Sequence, residues 1–515
     1  TSQPIAQSQT SLGSSPPVST STSSSARRTR TIVLGALAAV VAVGAYFGFR
    51  KPAPAFESIA VLPLENKTKD STQDYFVEGI TDELTGQLAT IKQLRVTSRG
   101  SAMAFTGKSR PGAPAIAKAL NVDAIVVGSV FRHGDTVHVA VELIDARQDR
   151  QLWSGSFDSK PSDVLTLQGE LASTIAEKMN VRLTSSDQAR FATAQTVNPA
   201  GHEAYLKGRY FFNRPSDENL QKAIVQFEES VRLSPTFAPA YSGLSDAYLW
   251  AGYNEGMMTA SEAKPKARAA AEIAVQLDSM SAEAHASLAT FKMFYEFDWP
   301  GAEKEFRRAI SLNPNYGFAH DQYGMTLAFT GRASESMVQG KSAIAIDPLS
   351  PQVLVDAVLA YLFSKNFDGA RTLAKQAGEL DPTYFFPVMI EGWTSLEAQK
   401  YREAITPLLK ARTLGAPPFV TAYLGYAFGK AGDRKNALAQ MDSLKAMAKG
   451  APVLPFNLAL IHLGLGENKL AIDNLERALA GDSQMMAWIG QDHMFDSLRQ
   501  ESRFIELLKR MHFVQ

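Results

Sequence analysis

The chain has 515 residues with 52 basic and 52 acidic side chains, so it carries no net field to gather nucleic acid or an acidic surface. That length implies more than one domain. It contains no cysteine, which excludes a disulfide, a thiolate metal site, a thiol nucleophile and a lipoprotein anchor.

Fourteen of the first 25 residues are Ser or Thr, with Pro16 and Pro17 among them. Such a composition has too little apolar surface to offset its ordering entropy, so residues 1–30 are expected to be a disordered linker. Thr31 to Phe49 follows, TIVLGALAAVVAVGAYFGF, without a charge in 19 residues. At ~1.5 Å per residue a helix here would span about 28 Å, close to the hydrocarbon thickness of a bilayer. A cleaved signal peptide would have a shorter apolar core nearer the start of the chain. Residues 31–49 are therefore expected to be a retained transmembrane helix. Arg27, Arg28 and Arg30 precede it, against Arg50 and Lys51 after it, which favours a cytoplasmic N-terminus. The expected place is the inner (cytoplasmic) membrane, crossed once, with the later domains extracytoplasmic. The first residue is Thr1 rather than Met, and the expectation is a chain cut from something longer.

From Phe56 to about Val181 strands alternate with helices, and residues 52–190 are expected to form an α/β domain. SIAVLPL (Ser58–Leu64) is a β-branched and aliphatic run ending at a polar turn, Glu65-Asn66-Lys67. Tyr75 to Ile91 has helical spacing at Phe76, Ile80, Leu84 and Leu88, and LRVTSR then reads as a strand. Ala115 to Leu120 is a short helix leading into AIVVGSVFR, a turn at His133-Gly134-Asp135, and TVHVAVELIDA. A Gly-Asp turn between two alternating runs predicts a hairpin. Gln151-Leu152-Trp153 and Phe157 continue the sheet, and Val164 to Met179 is an amphipathic helix. The sheet should have a parallel and a hairpin-paired portion.

In order, SIAVLPLENKT, DYFVEGITDEL, LRVTSR, AMAFTGK, LNVDAIVVGSVFRHGDTVHVAVELIDA and QLWS resemble the TolB-like N-terminal module. The resemblance implies architecture: in bacteria this module often stands between a membrane segment and tetratricopeptide repeats. The effector upstream is commonly a serine/threonine kinase, an adenylate cyclase or a winged-helix regulator. The resemblance implies no catalytic residue for the module itself.

Further on, small residues, aromatics and prolines return about every 34 residues. Pro235, Ser279, Pro314, Pro348, Pro382 and Ala416 mark the phase at intervals of 44, 35, 34, 34 and 34. Twelve, eight and five positions before Pro314 stand Ala302, Phe306 and Ala309. The same count from Pro235 gives Ala223, Phe227 and Ser230, and from Ala416 it gives Ala404, Leu408 and Ala411. Small residues at the outer slots let two helices approach, a bulky one fills the groove between them, and the proline ends the pair. This pattern resembles the tetratricopeptide repeat. It implies an all-α right-handed superhelix (α-solenoid) of about eight repeats over residues 198–483. Extra residues at Arg214–Asn219 and Ala251–Glu262 should fall in inter-helix turns. After Ser483 the period fails. Residues 484–515 are expected to cap the stack, with Phe495 to Leu508 as an amphipathic helix over its end.

Strings that look like chemistry fail on spacing. Gly107-Lys108-Ser109 and Gly340-Lys341-Ser342 lack the upstream glycine of a phosphate loop, where Ala102 and Glu335 stand. Phe367-Asp368-Gly369 has the wrong order for a kinase metal loop, and no H-R-D string occurs. His285 and His320 share one slot of two repeats and read as inter-helix packing residues rather than metal ligands. Glu78, Asp82 and Glu83 lie close on one helix and read as a solvated face rather than an acid–base pair. No catalytic residue, metal ligand or cofactor is expected.

The expected functional surface is the inner face of the superhelix, lined by the first helix of each pair. Its candidate residues are Tyr205, Arg209, Asn213, Asp246, Trp250 and Asp321, with Gln322 beside the last. Lys292 lies on such a helix but shares its slot with the packing residues Phe211, Tyr248 and Leu327. The leading reading is a membrane-anchored interaction scaffold that holds a protein or peptide in the groove. A second reading, from a different class, is the sensory half of a receptor enzyme, foremost a serine/threonine kinase, with a cyclase or winged-helix regulator as other effectors. A solute-binding α/β module is a third. Expected partners are a protein or peptide and the membrane, without nucleic acid, and a homodimer is left open.

Overall fold

The computed structural model describes residues 56–513, apart from 108–109, 193–196, 215, 254–256 and 450–451. The linker (1–30) and the transmembrane helix (31–49) lie outside the described residues, as do Lys108 and Ser109. Among the described residues no helix is long and apolar enough to cross a membrane.

The first part consists, in chain order, of β1 (Ser58–Val61), β2 (Glu65–Asn66), α1 (Asp74–Ala89), β3 (Arg95–Val96), α2 (Arg99–Met103), α3 (Ala113–Leu120), β4 (Ala124–His133), β5 (Thr136–Asp145), β6 (Arg150–Ser159), α4 (Val164–Lys178) and α5 (Ser185–Ala192). Ile59 and Val61 join the core on one side of the sheet, Ala60 and Leu62 the core on the other. A strand buried on both sides suits the middle of a parallel sheet, and β1 pairs in parallel with both β3 and β4. The turn expected at Glu65-Asn66 is instead the short strand β2, parallel to β4. The reason is length. β4 has 10 residues and β1 only 4, so the far half of β4 offers backbone groups that β1 cannot reach. The expected hairpin forms through Gly134 at φ 56°, and β6 follows, giving the order β3-β1-β4-β5-β6. α1 and α4 cover one face with Ile80, Leu84, Leu171 and Ile175, while α3 covers the other with Ile116 and Leu120.

Eight helix pairs follow among the described residues. Repeat one is Pro199–Phe212 with Asp217–Leu233; two is Ala238–Tyr253 with Ala260–Leu277; three is Ala282–Phe291 with Trp299–Leu312; four is Gly317–Phe329 with Ala333–Ile346. Repeat five is Pro351–Phe363 with Phe367–Leu380; six is Phe385–Glu397 with Tyr401–Thr413; seven is Pro418–Lys430 with Arg434–Met447; eight is Pro455–Gly464 with Asn468–Ala480. They form an all-α tetratricopeptide solenoid. Ala302, Phe306 and Ala309 are wholly buried, as are their counterparts Ala223, Phe227 and Ser230, and Ala404, Leu408 and Ala411. Close approach is what the small residues provide: a Cβ on Gly208 or Gly243 would stand 2.6 or 2.7 Å from the Phe227 ring. His285 bridges its own helix to Glu305 (Nδ1 to Oε2, 2.6 Å) and to the Ser279 carbonyl (3.1 Å). His320 repeats this with Gln339 (2.7 Å) and the Pro314 carbonyl (3.1 Å), so both are packing residues that also tie the turn before them.

Two features depart from the periodic expectation. The extra residues of repeat two do not all enter a turn. Ala251–Tyr253 finish the first helix and Ala260–Glu262 begin the second, started by a capping box between Thr259 and Glu262. In repeat three the first helix ends in a π-helical turn, Lys292–Glu296, closed by Phe297 at φ 52°. Lys292 leaves the packing slot there and pairs with Asp298 at 2.8 Å.

The end of the chain is not one helix. Gln484–Gly490 and His493–Leu498 are 3-10 turns, and only Ser502–Arg510 is α-helical, in place of the helix expected from Phe495 to Leu508. Rather than simply covering the last repeat, this strap crosses the C-terminal ends of earlier first helices. Gln484 donates to the Leu249 carbonyl (3.0 Å), His493 Nε2 meets the Phe363 carbonyl (3.3 Å) and His512 Nδ1 meets the Phe297 carbonyl (3.2 Å). Helix ends leave carbonyls without intrahelical partners, and the strap supplies side chains to several of them.

Candidate functional site

A cavity of ≈ 2340 Å³ occupies the inside of the superhelix. First helices of the repeats wall it from Tyr205 to Asn457, α1 borders it, and Met485 and Trp488 of the strap contribute to its lining. The α/β domain holds one edge. Asn315, in the turn that opens repeat four, donates to the carbonyls of Ala89 (2.9 Å) and Leu94 (2.7 Å) and accepts from Val96 N–H (3.1 Å). Ser98 N–H bonds the Ile346 carbonyl (2.8 Å), and Leu349 N–H bonds Ser101 Oγ (2.8 Å). On repeat one, Tyr75 donates to Glu203 (2.7 Å) and Glu83 meets His202 (2.6 Å).

This docking corrects the solvated-face reading of Glu78, Asp82 and Glu83. Glu78 pairs with Arg99 (2.8 Å) and with Arg214 of repeat one (2.6 Å), Asp82 pairs with Arg99 (2.5 Å), and Glu83 bonds His202. Burial pushes the Asp82 carboxyl up to about 6, against the charges of Arg99 and Arg209. These carboxylates join two domains.

The structure places all seven candidate groove residues on the wall of the one cavity, in two groups. Tyr205, Arg209, Asn213, Asp246 and Trp250 belong to repeats one and two. The Tyr205 ring stands edge-on to Phe237 (5.2 Å), and Trp250 stands edge-on to Tyr253 (5.6 Å). Asn213 donates to Asp82 at 3.4 Å, so it belongs to the domain junction as much as to the groove. Arg209 has Tyr205, Asp82, Tyr316 and Asp246 around it. No ion pair or hydrogen bond of its guanidinium occurs among the described residues. Burial raises the Asp246 carboxyl to about 7, against Ser287 and the Arg209 charge.

Asp321 and Gln322 form the second group, on repeat four, and both are buried. Sequence reasoning missed their neighbours. Asp356 and Gln352 of repeat five and Tyr384 and Phe385 at the start of repeat six line the same stretch of wall. A signal was present: Asp356 stands 34 positions after Gln322, and Tyr384 stands 68 after Tyr316, two periods on. Phe385 and Phe386 stack at 4.3 Å, and Phe419, Tyr423, Trp393 and Trp488 continue the aromatic wall in successive contacts.

Among the described residues no group of three metal-ligating side chains occurs. Gly340-Lys341-Ser342 lies inside a helix, where its backbone N–H groups are committed and cannot cradle a phosphate.

Residues 55–174 match a family model described as the second domain of HilA/YgeH-like transcriptional regulators. Over 236 residues the chain is 27% identical to a protein of Rhizobium meliloti (strain 1021) named "Putative adenylate cyclase 3", covering 46% of this chain and 40% of that one. It is 26% identical over 244 residues to superkiller protein 3 of Schizosaccharomyces pombe, covering 46% and 16%. The chain thus spans less than half the length of either relative. Among solved structures, Pseudomonas aeruginosa pilF is similar with a TM-score of 0.33 and 20% identity, over 45% of this chain and 96% of that one. A tetratricopeptide repeat protein of Parabacteroides merdae is similar with a TM-score of 0.39 and 12% identity, over 52% and 100%. The eight helix pairs have the tetratricopeptide pattern, and the chain resembles the cyclase-named relative over part of its length.

Proposed function

We propose that the chain is a membrane-anchored interaction protein that holds an extended peptide segment inside its superhelix. One observation carries this reading: a cavity of ≈ 2340 Å³ is walled by first helices and presents aromatic faces and an Arg209 without an ion-pair partner among the described residues. Polar groups of this kind fix a ligand's orientation while aromatic surface supplies affinity. The chain acts by binding rather than by catalysis, and the α/β domain is read as a TolB-like module that braces one edge of the groove. Incubating the full chain in detergent with a pool of random nonapeptides should slow amide exchange in the first helices of repeats four to six and leave the second helices unchanged. Protection confined to the second helices, or none at all, overturns the reading.

The anchor is residues 31–49, with the folded domains on the extracytoplasmic side of the inner membrane. A reporter enzyme that works only outside the cytoplasm, fused after residue 190, should be active. Activity of a cytoplasm-only reporter at that site reverses the orientation.

A second reading, the regulatory half of a longer signalling protein, is favoured by the match of residues 55–174 to a domain of transcriptional regulators and by the likeness to the cyclase-named relative. Coding sequence upstream of Thr1 decides it: an in-frame effector domain supports the reading, and a start codon directly before Thr1 removes it.

A further inference from the structure

We propose that Asp321, Asp356 and Gln322 form a subsite for a cationic group, the ammonium or guanidinium of a Lys or Arg side chain on the segment held in the cavity. The proposal rests on the peptide-binding reading above and adds the chemistry that would select the peptide.

Asp321 stands on the first helix of repeat four and Asp356 on the first helix of repeat five, and their carboxyls lie within hydrogen-bonding reach of each other. The groups around them are oriented so that acceptors are left over. Gln322 Nε2 donates to Asp321 Oδ2 at 3.1 Å, which leaves Gln322 Oε1 buried with no donor. Gln322 is only 5% exposed and is one of the residues that line the cavity. Gln352 Nε2 donates to both oxygens of Asp356 at 2.9 Å and is itself fixed by the Tyr384 hydroxyl, which donates to Gln352 Oε1. Every donor supplied by the protein here is neutral. Among the described residues no Lys, Arg or His forms an ion pair with Asp321 or Asp356.

Two carboxylates side by side, Asp321 buried and Asp356 half-buried, cannot both hold their charge without a counter-charge. In the free protein the shortfall is met by a proton: burial and the Asp356 charge push Asp321 far above the carboxylate range, and burial raises Asp356 to about 6. An ammonium brings three donors and one positive charge, which matches two carboxylates and one orphaned amide oxygen. Its aliphatic stem would lie against Phe385, which is half-buried in the same wall. Seating the cation therefore expels the shared proton to solvent. That proton is a readout which a purely structural pair of acids would not give.

The test uses the full chain in detergent and four fluorescein-labelled nonapeptide pools, with Lys, Arg, Gln or Glu at the centre and uncharged residues elsewhere. Near pH 8 the Lys and Arg pools should bind about tenfold or more tighter than the Gln pool, and the Glu pool weakest. The double variant Asp321→Asn with Asp356→Asn should lower the preference for the Lys pool over the Gln pool to about twofold or less. Calorimetry of the unaltered protein in two buffers of different ionisation enthalpy needs no variant and should show proton release with the Lys pool and none with the Gln pool. Equal binding of all four pools, or no proton release, overturns the subsite and leaves the groove reading standing. Binding of no pool removes both. Displacement of the Lys pool by unlabelled putrescine or by calcium chloride at the pool's own affinity would overturn the peptide as the source of the cation.

Discussion

Trp299→Ala is expected to destabilise the superhelix by about 3–5 kcal/mol, the cost of truncating a large buried aromatic. Trp299 opens the second helix of repeat three and is 5% exposed. Its ring stacks on Phe513 at 4.8 Å and tilts against Phe297 and Phe329 at 6.0 and 6.3 Å. Its indole N–H donates to the Met511 carbonyl at 2.8 Å, so one side chain fastens the end of the strap to the middle of the solenoid. Trp299→Phe keeps most of the apolar contact and loses the hydrogen bond, and should cost only about 1–2 kcal/mol. The distribution of the damage is the sharper readout. In a simple solenoid each repeat feels only its neighbours, so a lesion in repeat three should stay there. The strap instead touches repeat two at Leu249, repeat four beside Gly331, repeat five at Phe363 and repeat six at Glu397. Hydrogen exchange on Trp299→Ala should therefore show loss of protection across repeats two to six together, and in residues 484–510. Loss confined to repeats two to four would mean that the strap does not couple distant repeats.

What could be read from the sequence followed from how local each cause is. The alternation of Ala, Phe and Ala in second helices repeats because every helix pair must solve the same packing problem, so Ala302, Phe306 and Ala309 announce it within a single helix. The π-helical turn in repeat three also left a trace. The interval from Ser279 to Pro314 is 35 where its successors are 34, and Lys292–Glu296 absorbs the one added residue. The strap left none, because residues 484–498 pack through 3-10 turns against parts of several helices and no single period governs them. The junction was hidden for a related reason. Glu78, Asp82 and Glu83 have the spacing of any polar helix face, and only the docking of repeat one against α1 turns that face inward. Asn315 looks like a turn residue in sequence, yet its amide satisfies three backbone groups of another domain. The wall of the cavity was partly legible because inner-face positions share a phase. Residues that enter it from the turn, such as Tyr316 and Tyr384, do not share that phase.

Stability of the strap is expected to fall as pH rises through the neutral range, and Glu397→Gln should abolish most of that fall. Glu397 ends the first helix of repeat six, is 6% exposed, and faces the Asp492 carboxyl of the strap at hydrogen-bonding reach. Burial, reinforced by the Asp492 charge, pushes Glu397 up to about 10, and burial holds Asp492 at about 6. Other charges nearby do not neutralise the pair. His493 and Arg499 lie on the Asp492 side, but Arg499 and His493 are also engaged with Asp496, and Tyr401, Tyr423 and Tyr426 are neutral. The sign follows from proton counting. An unfolded Glu releases its proton near pH ~4.3, whereas the folded one keeps it, so between that pH and about 10 the folded state binds more protons. Its stabilising contribution is complete below the unfolded value and is lost as pH rises toward the folded one. Between about pH 5 and pH 9 the loss should be on the order of 2–4 kcal/mol, since each tenfold change in proton affinity is worth ~1.4 kcal/mol and the pair shares its protons. Glutamine keeps the shape and the neutral hydrogen-bonding groups, so Glu397→Gln should unfold at nearly the same urea concentration as the unaltered chain at pH 5 and at a clearly higher one at pH 9. Parallel pH profiles for the two proteins would show that Glu397 is not the group that loosens the strap.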